Sequence, residues 1–155
     1  MKITAAVEYA VQALLEIAVA TSKGGRINAH EISELQKIPV KFLEKQLGLL
    51  KRAGIIKSER GSRGGYSLAK SSADIYVADV IRVIEGPLAA VSDKAPELAK
   101  YKGAAANLTE IWIATRVALR NVLENISLQD IVEGKYEKQI VNLISTKDAW
   151  KRRVN

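Results

Sequence analysis

Nine basic side chains fall between residues 36 and 70: Lys37, Lys41, Lys45, Lys51, Arg52, Lys57, Arg60, Arg63 and Lys70. Only Glu44 and Glu59 oppose them there, a local net charge of +7. The rest of the 155-residue chain carries 15 bases and 15 acids, so this block holds the entire excess. Ammonium and guanidinium groups at that density replace the counterions of a polyanion, and duplex DNA is the polyanion that best suits a confined cationic face. Other chemistries lack their reagents. There is no cysteine, which excludes disulfides, thiolate zinc sites and cysteine-ligated iron–sulfur clusters. With one histidine and no carboxylates that pair with a base or metal set, neither enzyme activity nor a metal or other cofactor is expected.

The elements that must position these cations are legible as periodicity. Ile3, Val7, Ala10, Val11, Leu14, Leu15 and Ala18 recur at helical spacing, and Ser22-Lys23-Gly24-Gly25 stops that helix. Asn28 and Glu31 have capping-box spacing, which predicts a short helix to about Gln36 with Ile32 and Leu35 inward. Lys37-Ile38-Pro39 makes a turn. The next helix runs to about Ala53 and is amphipathic: Leu43, Leu47 and Leu50 share one face, while Lys41, Glu44, Lys45, Gly48 and Arg52 lie on the other. Gly48 costs helix stability, about 1 kcal/mol against Ala, but removes bulk from the outward face.

Beyond Gly54, Ile55–Glu59 and Tyr66–Leu68 read as short strands around Arg60-Gly61-Ser62-Arg63-Gly64-Gly65, a hairpin with a glycine-rich tip. A nucleotide-cradling loop would run from strand into helix, whereas this one runs into another strand. Helix, turn, helix and hairpin in that order define the fold class: mainly α with a small β-hairpin wing. Candidate DNA contacts are Asn28, His30, Pro39, Val40, Lys41, Glu44, Lys45 and Arg52 from the helices. The hairpin adds Arg60, Ser62, Arg63, Gly64 and Tyr66. Lys41 and Lys45 can reach phosphates or guanine acceptors, and Glu44 can accept from a cytosine amino group. The glycines permit turns and close approach to the minor groove.

A further helix is predicted over Val77 to Glu85, ending at Gly86-Pro87, followed by an exposed loop without periodicity to about Asn107. From there Leu108, Ile111, Trp112, Thr115, Leu119, Val122, Leu123 and Ile126 form one stripe about 30 Å long. It has no evident intramolecular cover, so a second copy of the chain is expected on it. Leu108, Ile111, Trp112, Leu119, Val122, Leu123 and Ile126 are the candidate dimer residues. Ser127 caps a segment Leu128–Glu133, and Tyr136–Ser145 predicts a last helix. The organisation expected is a helix-turn-helix unit over 1–87, a loop over 88–106 and a C-terminal dimerisation unit over 107–155. Glu8 and Glu16 interrupt the first apolar run, so no signal peptide or membrane association is expected and a cytoplasmic location fits.

Several segments resemble the Rrf-two type of bacterial winged-helix transcriptional regulators. They are Ile3-Thr4 with Glu8-Tyr9-Ala10 and Ala13-Leu14, Ala53-Gly54-Ile55-Ile56-Lys57-Ser58, and the wing Arg60-Gly61-Ser62-Arg63-Gly64-Gly65-Tyr66-Ser67-Leu68-Ala69. Ile84-Glu85-Gly86-Pro87-Leu88 and Ser127-Leu128-Gln129-Asp130-Ile131 extend the match. The resemblance implies a homodimer whose long helices cross and whose wings straddle an inverted-repeat operator. Several members of that family carry a sensing cluster whose cysteines follow the Glu-Gly-Pro-Leu segment, but here Ala89 to Ala106 holds none. Some relatives add an acidic ligand near position 8 and a histidine near 12; this chain has Glu8 and Gln12. Other members act without a cluster, one together with a cysteine-synthesis enzyme.

The expectation is a transcriptional regulator, a repressor, that binds an inverted repeat as a cluster-free homodimer. The alternative is a winged-helix protein-interaction module that regulates a partner enzyme or is regulated by one. Glu8, Tyr101 and Trp112 are candidates for contact with a metabolite or partner-enzyme effector, although Trp112 and Tyr101 serve equally as packing residues.

Overall fold

The structure is a computed structural model, described here for residues 2–61, 64–92 and 94–152. The tip residues Ser62 and Arg63 lie outside that set. Helix α1 spans Ala5–Ser22, capped by Thr4, whose side chain accepts from the Val7 amide. Ile3 precedes the cap and is exposed, so the apolar face starts at Val7 rather than Ile3. The hydropathy and length of α1 match those of a membrane span, but Val7, Ala10, Ala13, Leu14, Ile17 and Ala18 are spent on the protein core.

Helix α2 spans Ala29–Gln36, with both halves of the Asn28–Glu31 capping box formed. Ile32 is fully buried, but Leu35 is 61% exposed, against the expectation that it faces inward. The reason lies in the next residue pair. Lys37 adopts a left-handed conformation that reverses the chain, Ser33 Oγ donates to the Ile38 carbonyl (2.6 Å), and Ile38 becomes the buried apolar side chain instead. Helix α3 follows over Val40–Arg52 with Pro39 as its N-cap. Leu43, Leu47 and Leu50 are buried as the spacing predicts, and Gln46 is buried beside them at 2% exposure.

Strands β1 (Ile56–Glu59) and β2 (Gly65–Leu68) pair antiparallel, Ile56 opposite Leu68 and Glu59 opposite Gly65. A two-stranded hairpin is marginal by itself. This one is anchored: Tyr66 exchanges both backbone hydrogen bonds with Ile27 (2.8 and 3.2 Å), and the Leu68 amide donates to Thr21 Oγ1 of α1 (3.0 Å). Helix α4 covers Val77–Glu85, the range read from the sequence.

The segment from Gly86 is not featureless. Leu88 and Pro96 are buried, and single 3-10 turns form at Pro96–Leu98 and Gly103–Ala105. Helix α5 spans Leu108–Leu123, so at 16 residues it is about 24 Å long, shorter than the predicted stripe. Ile126 lies past its end, where its carbonyl accepts from the Val77 amide (3.0 Å). Helix α6 (Leu128–Glu133), capped by Ser127, returns to the first part of the chain: the Leu128 amide donates to the Ile75 carbonyl (2.9 Å), and Leu128 is buried in the core with α1. The last helix, α7, is shorter than expected at Lys138–Ile144.

The anchoring of the hairpin makes a sharp prediction about one glycine. Gly65 sits at φ +149, and a Cβ there would stand 2.8 Å from the Ile27 carbonyl oxygen. Gly65→Ala therefore has to break the Ile27–Tyr66 pairing or shift the backbone, at a cost of about 1–3 kcal/mol. Urea unfolding followed by circular dichroism is expected to show a lowered midpoint with an unchanged slope.

Candidate nucleic-acid interface

The described cations of the 36–70 block are displayed, not buried. Lys41, Glu44, Lys45 and Arg52 are exposed on α3, opposite Leu43, Leu47 and Leu50. Val40 is half-buried and Pro39 is exposed at the helix start. Pro39 offers no side-chain cap, so the positive end of α3 is open toward solvent. Gly48 is half-buried, and an added Cβ would meet its nearest neighbour, Arg52 Nη1, at an ordinary 3.7 Å. Packing within the protein thus does not require glycine there.

Asn28 and His30 lie at the start of α2, both exposed, with Asn28 Oδ1 committed to the Glu31 amide (3.0 Å). The Ile27–Tyr66 bonds put that start directly against β2. The half-buried Tyr66 in turn lies close to α3: burial raises its phenol above the usual tyrosine range, and the Glu44 carboxylate adds to the shift. Helix start, recognition-type helix and hairpin are therefore one continuous unit. Arg60 is exposed at the strand end and Gly64 half-buried, its amide donating to the Gly61 carbonyl (2.9 Å). A Cβ on Gly64 would fall 2.4 Å from the Glu59 carbonyl, so this glycine serves the turn itself.

Three contributors escaped the sequence reading. Arg26 forms an ion pair with Glu59, which offsets one of the two acids in the cationic block. Phe42 on α3 packs edge-to-face on Tyr9 of α1, ring centroids 5.3 Å apart. Gln46 is buried with Oε1 accepting from no described residue. The Arg26–Glu59 pair crosses 33 residues, a separation at which spacing carries no signal. Phe42 and Gln46, by contrast, lie in the same helical pattern as Leu43 and Leu50.

Away from this face, Trp112 Nε1 donates to Tyr101 Oη (3.1 Å), so the structure brings these two candidate effector residues together. Glu8 stays exposed on α1, accepting from Gln12 Nε2 (3.5 Å).

The profile of Rrf2, the Rrf-two type described as iron-dependent transcriptional regulators, matches residues 3–134. This chain belongs to the Rrf2 family. An HTH-type transcriptional regulator of Mycobacterium tuberculosis is 37% identical over 143 residues, covering 92% of this chain and 88% of that protein. The structure of CymR, the global cysteine regulator of Bacillus subtilis, superposes with a TM-score of 0.73 at 30% identity, covering 87% of this chain and 98% of that one. IscR of T. potens superposes with a TM-score of 0.70 at 27% identity, covering 99% and 94%. The chain is thus a bacterial-type helix-turn-helix transcriptional regulator with the winged-helix fold, and its family's members are regulators rather than enzymes.

The iron dependence by which the family is described meets few donors in this chain. The matched region contains no thiol, and among the described residues no three His, Asp or Glu side chains assemble. His30, the one histidine, lies exposed on α2. These residues do not fit an iron–sulfur cluster.

The Tyr66–Glu44 proximity is checkable through its sign. Removing the anion in Glu44→Gln should lower the Tyr66 pKa toward the ordinary tyrosine value, read as a difference in ultraviolet phenolate titration between the two proteins. Because the folded-state pKa is raised, Tyr66 stabilises the fold fully below the unfolded tyrosine pKa of about 10, and this is lost as pH rises through the folded value. Glu44→Gln, which lessens that rise, should therefore reduce the stability lost in alkali and move alkaline unfolding to higher pH.

Proposed function

We propose that this regulator is a homodimeric repressor that reads an inverted-repeat operator with α3 of each protomer, without an iron–sulfur cluster. The observation that carries the reading is the confinement of the net charge to one continuous unit of α3, the α2 start and the hairpin. Lys41 and Lys45 meet phosphates or guanine edges, Glu44 reads a base, and Asn28, His30, Arg52, Arg60, Ser62, Arg63 and Tyr66 complete the face with Pro39, Val40 and Gly64. Gly48, which packing leaves unexplained, keeps α3 slim where it enters the groove. A dimer of this kind spaces its half-sites by about one DNA turn, roughly 34 Å. A dimer seated over promoter sequence blocks polymerase, so repression in the cytoplasm is the direct consequence.

Support for the second copy comes from α5. None of its side chains is fully buried; Ile111 is 58% and Val117 45% exposed. Leu119, Val122 and Leu123 line an apolar groove of about 340 Å³ together with Ile3, Val7 and Ile81. Leu108 and Trp112 on α5, and Ile126 beyond its end, are half-buried. A partner protomer covers such surface at no cost in new polar groups.

Two measurements test the reading. Affinity for native promoter DNA should fall steeply with salt, and Lys41→Ala and Lys45→Ala should each reduce the slope of log K against log salt by about 1. Glu44→Ala should change base preference at one operator position by about 1–3 kcal/mol. Binding that ignores sequence and salt, with a co-purifying enzyme and no footprint, would favour the protein-interaction module instead. Separately, Ile111→Asp should shift the species seen by analytical ultracentrifugation from dimer to monomer without changing the circular dichroism of the helix-turn-helix unit.

A further inference from the structure

Between α4, residues 86–88 and 95–96, and α5 lies a cavity of about 310 Å³, at the small end of ligand-binding cavities. Its charged lining residues, among those described, are three arginines: Arg82 from α4 and Arg116 and Arg120 from α5. Pro87, Leu88 and Pro96 supply a rigid apolar wall. The acids that pair with the arginines are not part of the lining. Glu97 accepts from Arg116 Nη1 (2.6 Å), Glu124 from Arg82 and, at 3.8 Å, faces Arg120 Nε, and Asp79 lies 3.4 Å from Arg82 Nη1. Each guanidinium is thus paired with a carboxylate that is not among the lining residues.

Arg116 is the most enclosed of the three, with its side chain 16% exposed. Its Nε is buried and donates to no acceptor among the described residues. Leaving that N–H unmade is costly, and a guanidinium makes its strongest hydrogen bonds to anionic oxygens. Several guanidinium forks around one small space match the geometry of a planar or tetrahedral oxyanion.

We propose that this arginine-lined cavity is a binding site for a small oxyanion ligand bearing carboxylate or phosphate groups. The ligand bridges α4 and α5. Because α4 also packs on α3, occupancy would bias the recognition helix, and by linkage DNA would alter ligand affinity. That coupling rests on the DNA-binding reading; the binding site itself does not.

The test uses the full chain without DNA, at about 150 mM sodium chloride, where the screening length is about 8 Å, titrated with sodium pyrophosphate and, separately, with malonate. Binding is followed by calorimetry and by the arginine Nε–Hε resonances in nuclear magnetic resonance spectra. The expected result is saturable binding of at least one probe with shifts at Arg82, Arg116 and Arg120; which probe binds tells phosphate from carboxylate chemistry. Arg120→Gln, an exposed position whose replacement leaves the core intact, should weaken binding at least tenfold. Glu97→Gln, which removes the competitor for Arg116, should tighten it. Saturable binding lost on Lys41→Gln but unchanged by Arg120→Gln, perturbation confined to α3 and the hairpin, or no saturation at all would overturn the proposal. Operator binding is measured independently, so either result can fail without the other.

Discussion

The pairing of Tyr66 with Ile27 is the constraint on which the rest of the cationic face depends. Two strands of four residues have little reason to hold a fixed direction in water. By exchanging two backbone hydrogen bonds with Ile27, β2 gains a third partner in the residue just before the α2 cap. Everything after that cap inherits the geometry: α2 is two turns long, the Lys37 reversal is fixed by Ser33, and α3 follows at once. The hairpin and α3 therefore keep one relation to each other, which two surfaces gripping the same duplex require. The absence of a side chain at Gly65 makes the approach possible, and the Arg26–Glu59 ion pair spans the same junction from the other side.

Legibility followed the range of the interaction. The Asn28–Glu31 box, the Leu43, Leu47 and Leu50 face, and the bounds of α4 are all set by neighbours within one or two turns, and the sequence states them openly. Leu35 failed because helical spacing assumes that the helix continues. The left-handed Lys37 ended it, and Ile38 entered the core instead. Nothing in the residue type of a lysine announces a positive φ. The return of Leu128 to Ile75 is invisible for a different reason: Ser127 advertises a cap, but pairing across some fifty residues leaves no local pattern.

The site was legible to the same depth. Exposure of Lys41, Glu44, Lys45 and Arg52 follows from the burial of the leucines on the opposite face, so spacing alone placed them. The proximity of Glu44 to Tyr66 follows from the hairpin's docking and could not be read from spacing. It changes how Glu44 is understood. A carboxylate among so many bases needs a reason, and its field also acts on a phenol that the hairpin brings to α3. The two charged blocks of the molecule also differ in kind. Around α3 the bases outnumber the acids, which suits a large polyanion, whereas each of the three arginines lining the α4–α5 cavity is paired with a carboxylate, which suits a small ligand that need not overcome a large net field.

Helix α5 shows why that second block matters mechanically. A 16-residue helix is marginal in water without tertiary packing, and α5 buries no side chain completely. Its described polar ties go mostly to the 96–101 segment: Arg116 to Glu97, Thr109 to the Ala99 carbonyl, Trp112 to Tyr101. Those bonds join loop to helix, so the two move together, while Arg82 with Glu124 and the apolar groove set how α5 leaves the core. Few interactions thus fix the α4–α5 angle. Over a length of about 24 Å, a tilt of about 10° displaces the far end by about 4 Å, and DNA rises about 3.4 Å per base pair. If α5 carries the dimer seam, a rearrangement among three arginines is enough to move the two reading heads out of register with their half-sites by one base pair. Regulation through that joint adds to any bias that α4 passes directly to α3.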